Sequence, residues 1–169
     1  TVVNAAGAWA DQIAILAGIK PLLLQPKRRT AMLVDTPLHL NSTDWPMVID
    51  VDEQFYLKPD AGQILLSPAD ETLSEACDTH PEEFDIAVAI DRIQRICSLP
   101  VEKVNHSWAG LRTFATDNTF VSGFDTSCEG FYWQAGQGGY GVQSCAGMAD
   151  IGCFQITGDC GLMSEQRIK

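Results

Sequence analysis

The closely spaced glycines near the end of the chain carry the clearest chemical signal in the sequence. Gly136, Gly138 and Gly141 match the G-x-G-x-x-G pattern of dinucleotide-binding loops, between a predicted strand and a predicted helix. That pattern opens a βαβ unit and is followed by further strands, whereas only residues 142–169 follow here. We therefore expect either a glycine-rich turn or a helix N-terminus that faces a ligand, where N–H groups and the helix dipole favour negative charge.

Arginines within apolar predicted strands are the second signal. The chain has 11 Lys and Arg against 22 Asp and Glu, yet Arg28, Arg29 and Arg112 lie in apolar segments. A partly buried guanidinium needs an anionic partner. Two interpretations stay open: ion pairs with the chain's own carboxylates, or bidentate binding of a substrate carboxylate. Tyr56 is equally open, as a core residue or as a hydroxyl donor to the same ligand.

Other common chemistries find no support in the sequence. The six cysteines and three histidines show no zinc-ligand spacing, and there is no G-x-S-x-G, H-E-x-x-H or Walker A motif. We predict no metal site and free thiols in a reducing compartment. The net charge of −11 argues against nucleic acid as a partner. With no signal-peptide pattern and no membrane-span pattern, we expect a cytoplasmic protein, with a location peripheral to the inner membrane as the alternative.

Apolar periodicity predicts an α+β fold built on a mostly antiparallel sheet with a covering helix. The predicted helices are 9–17, one that opens at 78–81, and 142–156, and the predicted strands are 1–3, 25–34, 47–51, 54–58, 63–67, 101–106, 109–115, 119–124 and 130–135. Asp60, Ala61 and Gly62 predict a hairpin turn. The opening strand has no earlier partner, so we expect the chain to be the later part of a longer protein.

Several segments together resemble one family of flavoenzymes. In order and spacing the chain is similar to the D-amino-acid oxidase group of FAD-dependent amine and amino-acid oxidoreductases, and most similar to bacterial D-arginine dehydrogenases. The segments that carry the resemblance are VVNAAGAWA at 2–10, PKRR at 26–29, FYLKPDAG at 55–62, SPA at 67–69, WAGLRTF at 108–114, and GFYW with AGQGGYGVQ at 130–143. The resemblance covers residues 1–157.

The resemblance implies the C-terminal half of such an enzyme, with terminal strand and helix pieces of a Rossmann-like FAD domain. The implied segments are the end of the FAD-binding domain at 1–24, an antiparallel substrate-binding domain with its helix at 25–124, the returning strand and closing helix of the FAD domain at 125–157, and a tail at 158–169. The implied partner is the N-terminal FAD-binding half of the same protein, which carries the family's own G-x-G-x-x-G loop.

The resemblance also implies site residues. Arg29 and Arg112 would bind the substrate carboxylate, and Tyr56 would hydrogen-bond to it. Within the cofactor set, 138–143 would line the flavin ring, and 4–9 would lie near its ribityl and diphosphate side. The implied cofactor-binding residues are Gly7, Trp9, Gly110, Gly138, Gly139, Tyr140, Gly141, Val142 and Gln143.

The implied reaction is oxidation of the C–N bond of a free D-amino acid, with hydride transfer to FAD. The imino acid product then hydrolyses to a 2-oxo acid and ammonia. Two alternatives stay open: an amine oxidase of the glycine or sarcosine type, and a non-catalytic remnant domain that lacks its flavin half. On the main interpretation this chain by itself is inactive, because the flavin half lies outside it.

Overall fold

The computed structural model describes residues 1–97 and 99–159, which form two compact units. In this part of the chain the helices are α1 (Ala10–Leu16), α2 (Glu83–Ile96) and α3 (Gly141–Thr157). The strands are β1 (Val2–Asn4), β2 (Gln25–Asp35), β3 (Val48–Ile49), β4 (Tyr56–Asp60), β5 (Gln63–Ser67), β6 (Thr72–Leu73), β7 (Val104–Phe114), β8 (Val121–Phe124) and β9 (Phe131–Ala135). Short 3-10 turns, Gly7–Trp9 and Gly138–Tyr140, precede α1 and α3.

Unit 1 contains Thr1–Lys27, Ser74–Ala76 and the chain from Arg112 onward, and its centre is a sheet of order β1-β9-β8. Strand β1 runs parallel to β9, and β8 runs antiparallel to it. Alternation along β9 places Phe131 and Trp133 on one face, where they pack in a core cluster with Ala10 and Ala14 of α1.

Helix α3 lies on the opposite face of the same sheet. The Gln134 side chain donates to the Met148 carbonyl at 3.2 Å, and the Tyr132 hydroxyl donates to the Gln155 side chain. Gly152 faces both side chains, because a Cβ there would lie 3.5 Å from Gln134 Oε1 and 3.6 Å from the Tyr132 hydroxyl. The β1–β9 pair is therefore covered by a helix on each face, the arrangement typical of parallel strands.

Unit 2 contains Arg28–Leu73 and Cys77–Leu111, with strand order β3-β4-β5-β2-β6 and β7 paired to β2. Ala61 and Gly62, at φ of 49° and 84°, form the turn of the β4–β5 hairpin. Helix α2 covers the sheet through Ala89 and Ile93, which are fully buried. The other buried members of this core are Met32, Val34, Phe55, Leu57, Ile64, Leu66 and Leu99.

The predicted α+β class with mostly antiparallel sheets is confirmed, and the differences are local. The two strands predicted at 101–106 and 109–115 are one strand, β7, because the backbone passes through Gly110 without a break. Helix α2 begins at Glu83, later than predicted, since Glu82 is extended at φ −93° and ψ 143°. Strand β6 was not predicted, because two residues are too few to show a period. Residues 160–169 of the predicted tail lie outside the described residues.

The division into units differs from the predicted segments at residues 25–27, 74–76 and 112–124, which belong to unit 1. Unit 2 ends at Leu111, whereas the predicted substrate-binding segment extends to 124. The reason is that β8 pairs with β9, Val121 with Ala135 and Phe124 with Tyr132, and so belongs to unit 1. The assignment of flavin-binding and substrate-binding roles to the segments stays a prediction. None of the described helices has the length and apolar character that crossing a membrane requires.

Candidate functional site at the glycine turns

The carboxyl ends of two neighbouring parallel strands both lead into glycine turns. Strand β1 ends at Asn4 and continues into Gly7–Trp9, and β9 ends at Ala135 and continues into Gly138–Tyr140. Asn4 is buried and stabilises the first turn by donating to the Ala10 carbonyl at 2.8 Å. In α/β sheets, ligands bind at this carboxyl edge.

The predicted glycine positions require glycine for different physical reasons. Gly7, Gly136 and Gly138 have φ of 56°, 75° and 53°, the left-handed region that side chains disfavour. Gly139 and Gly141 are not in that region. A Cβ on Gly139 would overlap the Arg112 guanidinium, whereas one on Gly141 would make an ordinary 3.5 Å contact with the Gln137 Cβ. Close approach of another side chain, and not backbone conformation, therefore explains Gly139.

Helix α3 begins at this turn without a side-chain cap. Its N-cap residue, Tyr140, makes no side-chain cap hydrogen bond, and the first turn contains no acidic residue. Tyr140 and Val142 are 54% and 91% exposed. Orphan N–H groups and the positive end of the helix dipole stabilise negative charge. The predicted ligand-facing helix N-terminus is thus geometrically available.

Arg112 lies directly at this turn. Its Nη1 and Cζ occupy the space beside the Gly139 α-carbon, as the position of an ideal Cβ shows. The side chain is half-buried. No described carboxylate lies within ion-pair distance of its guanidinium, and no described residue accepts a hydrogen bond from it. A half-buried guanidinium of this kind is suited to bind an anion.

Phe114, which the sequence analysis did not single out, packs beside Arg112. Its ring lies on the Gly138 α-carbon, and the Lys27 ammonium lies 4.7 Å from the ring centroid. The signal that could have identified Phe114 is alternation, because residues 112 and 114 share one face of a strand. Lys27 lies in the PKRR segment, directly before Arg28.

The other two predicted carboxylate-binding residues belong to unit 2. Arg29 Nε donates to the Asp70 carbonyl at 2.6 Å, and Nη2 pairs with Glu71 at 3.0 Å. Tyr56 is half-buried and pairs with Ser67 and Ile49 in the sheet. The ion-pair interpretation left open by the sequence therefore holds for Arg29 in this structure. A role for Arg29 and Tyr56 in substrate binding stays a prediction.

Arg28 is largely buried and forms ion pairs within the protein. Its guanidinium donates to Glu82 and, at 2.9 Å, to Asp85, which ties β2 to the start of α2. The Glu82 hydrogen bond, with help from Asp85 and against the cost of burial, raises the pKa of Arg28. Asp70 lies 4.0 Å from Arg28 Nε and accepts from Thr30. This network explains why an arginine is found in an apolar strand.

The remaining predicted positions are distributed over both units. Gly7, at φ 56°, and Trp9, 44% exposed, belong to unit 1. Gly110 lies within β7 in unit 2, where a Cβ would meet nothing within 4 Å. Cys97, Cys128, Cys145 and Cys153 are free thiols. Among residues 1–97 and 99–159, no three His, Cys, Asp or Glu side chains are grouped as metal ligands would be.

The residues of unit 1 fit an electron-rich, anionic ring system. Gly139 is exposed beyond the carboxyl end of β9, and the start of α3 has no side-chain cap. Arg112 supplies a cation beside them. These are the donors that a reduced flavin and a carboxylate substrate require. Comparison with known proteins assigns the chain to a family.

The chain belongs to the family of FAD-dependent oxidoreductases (DAO), whose family model matches residues 1–153. The cofactor of this family is FAD. Among curated proteins, the chain is 28% identical over 158 residues to FAD-dependent oxidoreductase domain-containing protein 1 of Bos taurus. That match covers 84% of this chain and 32% of the relative, so the chain spans about a third of the relative's length.

Solved structures share the fold. L-Proline dehydrogenase from P. horikoshii superposes with a TM-score of 0.78 at 24% identity, over 93% of this chain and 42% of that chain. Glycine oxidase from Geobacillus kaustophilus superposes with a TM-score of 0.76 at 18% identity, over 97% of this chain and 43% of that chain. At these identities the likeness concerns the fold alone.

Proposed function

We propose that the chain is part of an FAD-dependent oxidoreductase that oxidises the C–N bond of a free amino acid, and that Arg112 binds the substrate carboxylate. One observation carries the proposal: a half-buried guanidinium without a described anionic partner lies on Gly139, at the uncapped start of α3. A carboxylate would complete the hydrogen bonding of Arg112. FAD, when bound, supplies the hydride acceptor for the substrate Cα–H.

The chain's own residues have three tasks in this proposal. Arg112 holds the carboxylate and so fixes the direction of the Cα–H bond, which is the proximity contribution to catalysis. The exposed backbone of Gly139 would leave room for a bound flavin and its substrate. The first N–H groups of α3, at Val142 and Gln143, would stabilise negative charge on that cofactor.

The substrate class rests on weaker support. Two of the solved structures with this fold are named for acting on L-proline and on glycine, which are free amino acids. We propose a D-amino acid as the substrate, with Arg29 and Tyr56 as further carboxylate contacts. The alternative is an amine oxidase of the glycine or sarcosine type, which the likeness to glycine oxidase favours.

The proposed partner is the remaining FAD-binding part of the same polypeptide. The curated relative is about three times as long as the matched region, since that region covers 32% of it. In the proposed protein, the missing part carries the phosphate-binding loop. We propose a cytoplasmic location, because free thiols persist in reducing compartments.

The test is a substrate panel on the complete, flavin-loaded protein. Its flavin absorbance is followed under anaerobic conditions with D- and L-amino acids, glycine, sarcosine and the matching decarboxylated amines. We expect amino acids to bleach the flavin and the amines to do so about 30- to 150-fold more slowly, since a lost charge-assisted contact costs about 2–3 kcal/mol. Equal rates for amines and amino acids would contradict carboxylate binding, and faster reduction by L-amino acids or glycine would exclude the D-specific form.

A further inference from the structure

We propose that Phe114 is a positioning residue, which holds Arg112 and the glycine turn in fixed register and thereby sets the affinity for the substrate carboxylate. The inference rests on the proposed role of Arg112 and adds a residue that does not itself touch the substrate. Its basis is the way in which the end of β7 packs on the turn between β9 and α3, entirely within unit 1.

The first observation is the fit of the Phe114 ring on Gly138. An ideal Cβ on Gly138 would lie 2.8 Å from Phe114 Cδ1 and 3.0 Å from Cζ, and would overlap Cε1. The ring edge therefore occupies the volume that any side chain at 138 would need. A phenyl ring on a strand has few alternative rotamers, so the contact restrains the turn more than a long flexible chain would.

The second observation is backbone support of the same turn. Phe114 forms an isolated antiparallel bridge with Gln137. A Cβ on Gly136 would lie 3.1 Å from the Thr119 carbonyl oxygen and 3.5 Å from the Ala115 amide nitrogen. The residues that follow Arg112 thus enclose the turn along its length, and the ring of Phe114 lies at the centre of this contact.

The third observation joins the ring to Arg112. Residues 112 and 114 project from the same face of β7, and they meet adjacent turn residues, Arg112 at Gly139 and Phe114 at Gly138. Any shift of the turn along β7 moves Gly139 relative to the guanidinium. The ring therefore determines where the guanidinium lies relative to the start of α3.

Lys27 restrains the ring from a further direction. Its ammonium lies 4.7 Å from the ring centroid, within the range of a cation–π interaction. The ring is thereby held between a cation and the Gly138 backbone. Removal of the ring would release the turn, while Arg112 itself stays in the protein.

The experiment is a double-mutant cycle in the complete protein. Phe114→Ala, Gly138→Ala and the double variant are compared with wild type, with Phe84→Ala as the matched control, because Phe84 is 73% exposed on α2. The readouts are the melting temperature of the flavin-free protein and the Kd of propionate, measured from flavin absorbance in the loaded protein. Phe114→Leu replaces Phe114→Ala wherever the alanine variant does not fold.

We expect Phe114→Ala to weaken propionate binding by about tenfold, while Phe114→Tyr, which keeps the ring, and Phe84→Ala stay within about twofold of wild type. Gly138→Ala should lower the melting temperature less when Phe114 is already Ala, because the overlap with the ring is gone and only the strain of a side chain at φ 53° remains. Wild-type propionate affinity in Phe114→Ala would overturn the inference, as would an equal effect of Gly138→Ala in both backgrounds. The Arg112→Met variant tests the proposed carboxylate binding by Arg112 itself. If this variant leaves propionate affinity unchanged, the proposed function fails and the positioning role of Phe114 fails with it.

Discussion

At the residue scale, the nearby side chain of Arg112 explains why residue 139 is glycine. Its φ lies outside the left-handed region, so alanine is compatible with the backbone, but its Cβ would overlap the end of the flexible Arg112 side chain. Such an overlap is relieved by moving the guanidinium, which costs little stability. The consequence should therefore appear in carboxylate binding and not in folding.

We expect Gly139→Ala in the complete protein to raise KM for the amino-acid substrate by about tenfold, with a melting temperature within about 2 °C of wild type. Gly147→Ala is the matched control, because a Cβ at Gly147 meets nothing within 4 Å. Steady-state kinetics and thermal unfolding of both variants provide the measurement. An unchanged KM for Gly139→Ala would show that the guanidinium does not work from this position.

The partners of the three arginines could not be predicted from the sequence. Arg28, Arg29 and Arg112 were equivalent by composition, and only tertiary packing separates them. Arg28 and Arg29 meet carboxylates supplied by distant segments, 70–71 and 82–85, whereas Arg112 meets a glycine. Partners so far apart in sequence cannot be identified from local pattern.

At the element scale, the loop between β8 and β9 is held by one carboxylate. Trp133 Nε1 donates to Asp125 at 3.0 Å, and the Ser127 hydroxyl and amide donate to it at 2.7 and 2.8 Å. These bonds, the Trp133 bond above all, lower the pKa of Asp125 from 3.8 to about 2. The charged form is therefore the one that the folded state favours.

The lowered pKa of Asp125 predicts how the stability of the protein depends on pH. A carboxyl group whose pKa is lower in the folded state stabilises the protein fully above its unfolded pKa of 3.8, and the contribution is lost as the pH falls towards about 2. We expect Asp125→Asn to melt below wild type at pH 7, with the difference shrinking between pH 4 and pH 2. The exposed Asp44→Asn serves as the control. A difference that stays constant across that pH range would refute the assigned cause.

The elements that local signals specify were predicted well. The β4–β5 hairpin was expected from Asp60, Ala61 and Gly62, and β5 has the predicted bounds, Gln63–Ser67. The last helix was expected to end at 156, and α3 ends at Thr157, with Gly158 as its C-cap at φ 74°. The errors fall where long-range pairing decides the outcome. Strand β7 runs through Gly110 because β2 pairs with it, and β6 exists as a strand only through its pairing.

At the scale of the whole molecule, two kinds of architecture occur in one short chain. Unit 1 is a three-stranded mixed sheet with a helix on each face, and unit 2 is an antiparallel sheet with one covering helix. The arrangement in unit 1 is typical of proteins that bind a nucleotide cofactor at the carboxyl edge of a sheet. Unit 2 presents a broad antiparallel sheet. This combination, and the family match over residues 1–153, could be expected from the segments that carry the resemblance.

The most direct test of the account is the effect of Arg112→Met on the complete flavin-loaded protein, with Arg95→Met as the matched control. Arg95 is suitable because its side chain is 74% exposed in a surface pair with Asp91. The measurement is kcat/KM for the best amino-acid substrate, together with thermal unfolding of the same preparations. We predict a loss of about 2 kcal/mol or more in transition-state stabilisation, roughly 30-fold, for Arg112→Met alone, with its melting temperature nearly unchanged. A normal kcat/KM combined with a lower melting temperature would show that Arg112 is structural and would contradict the account.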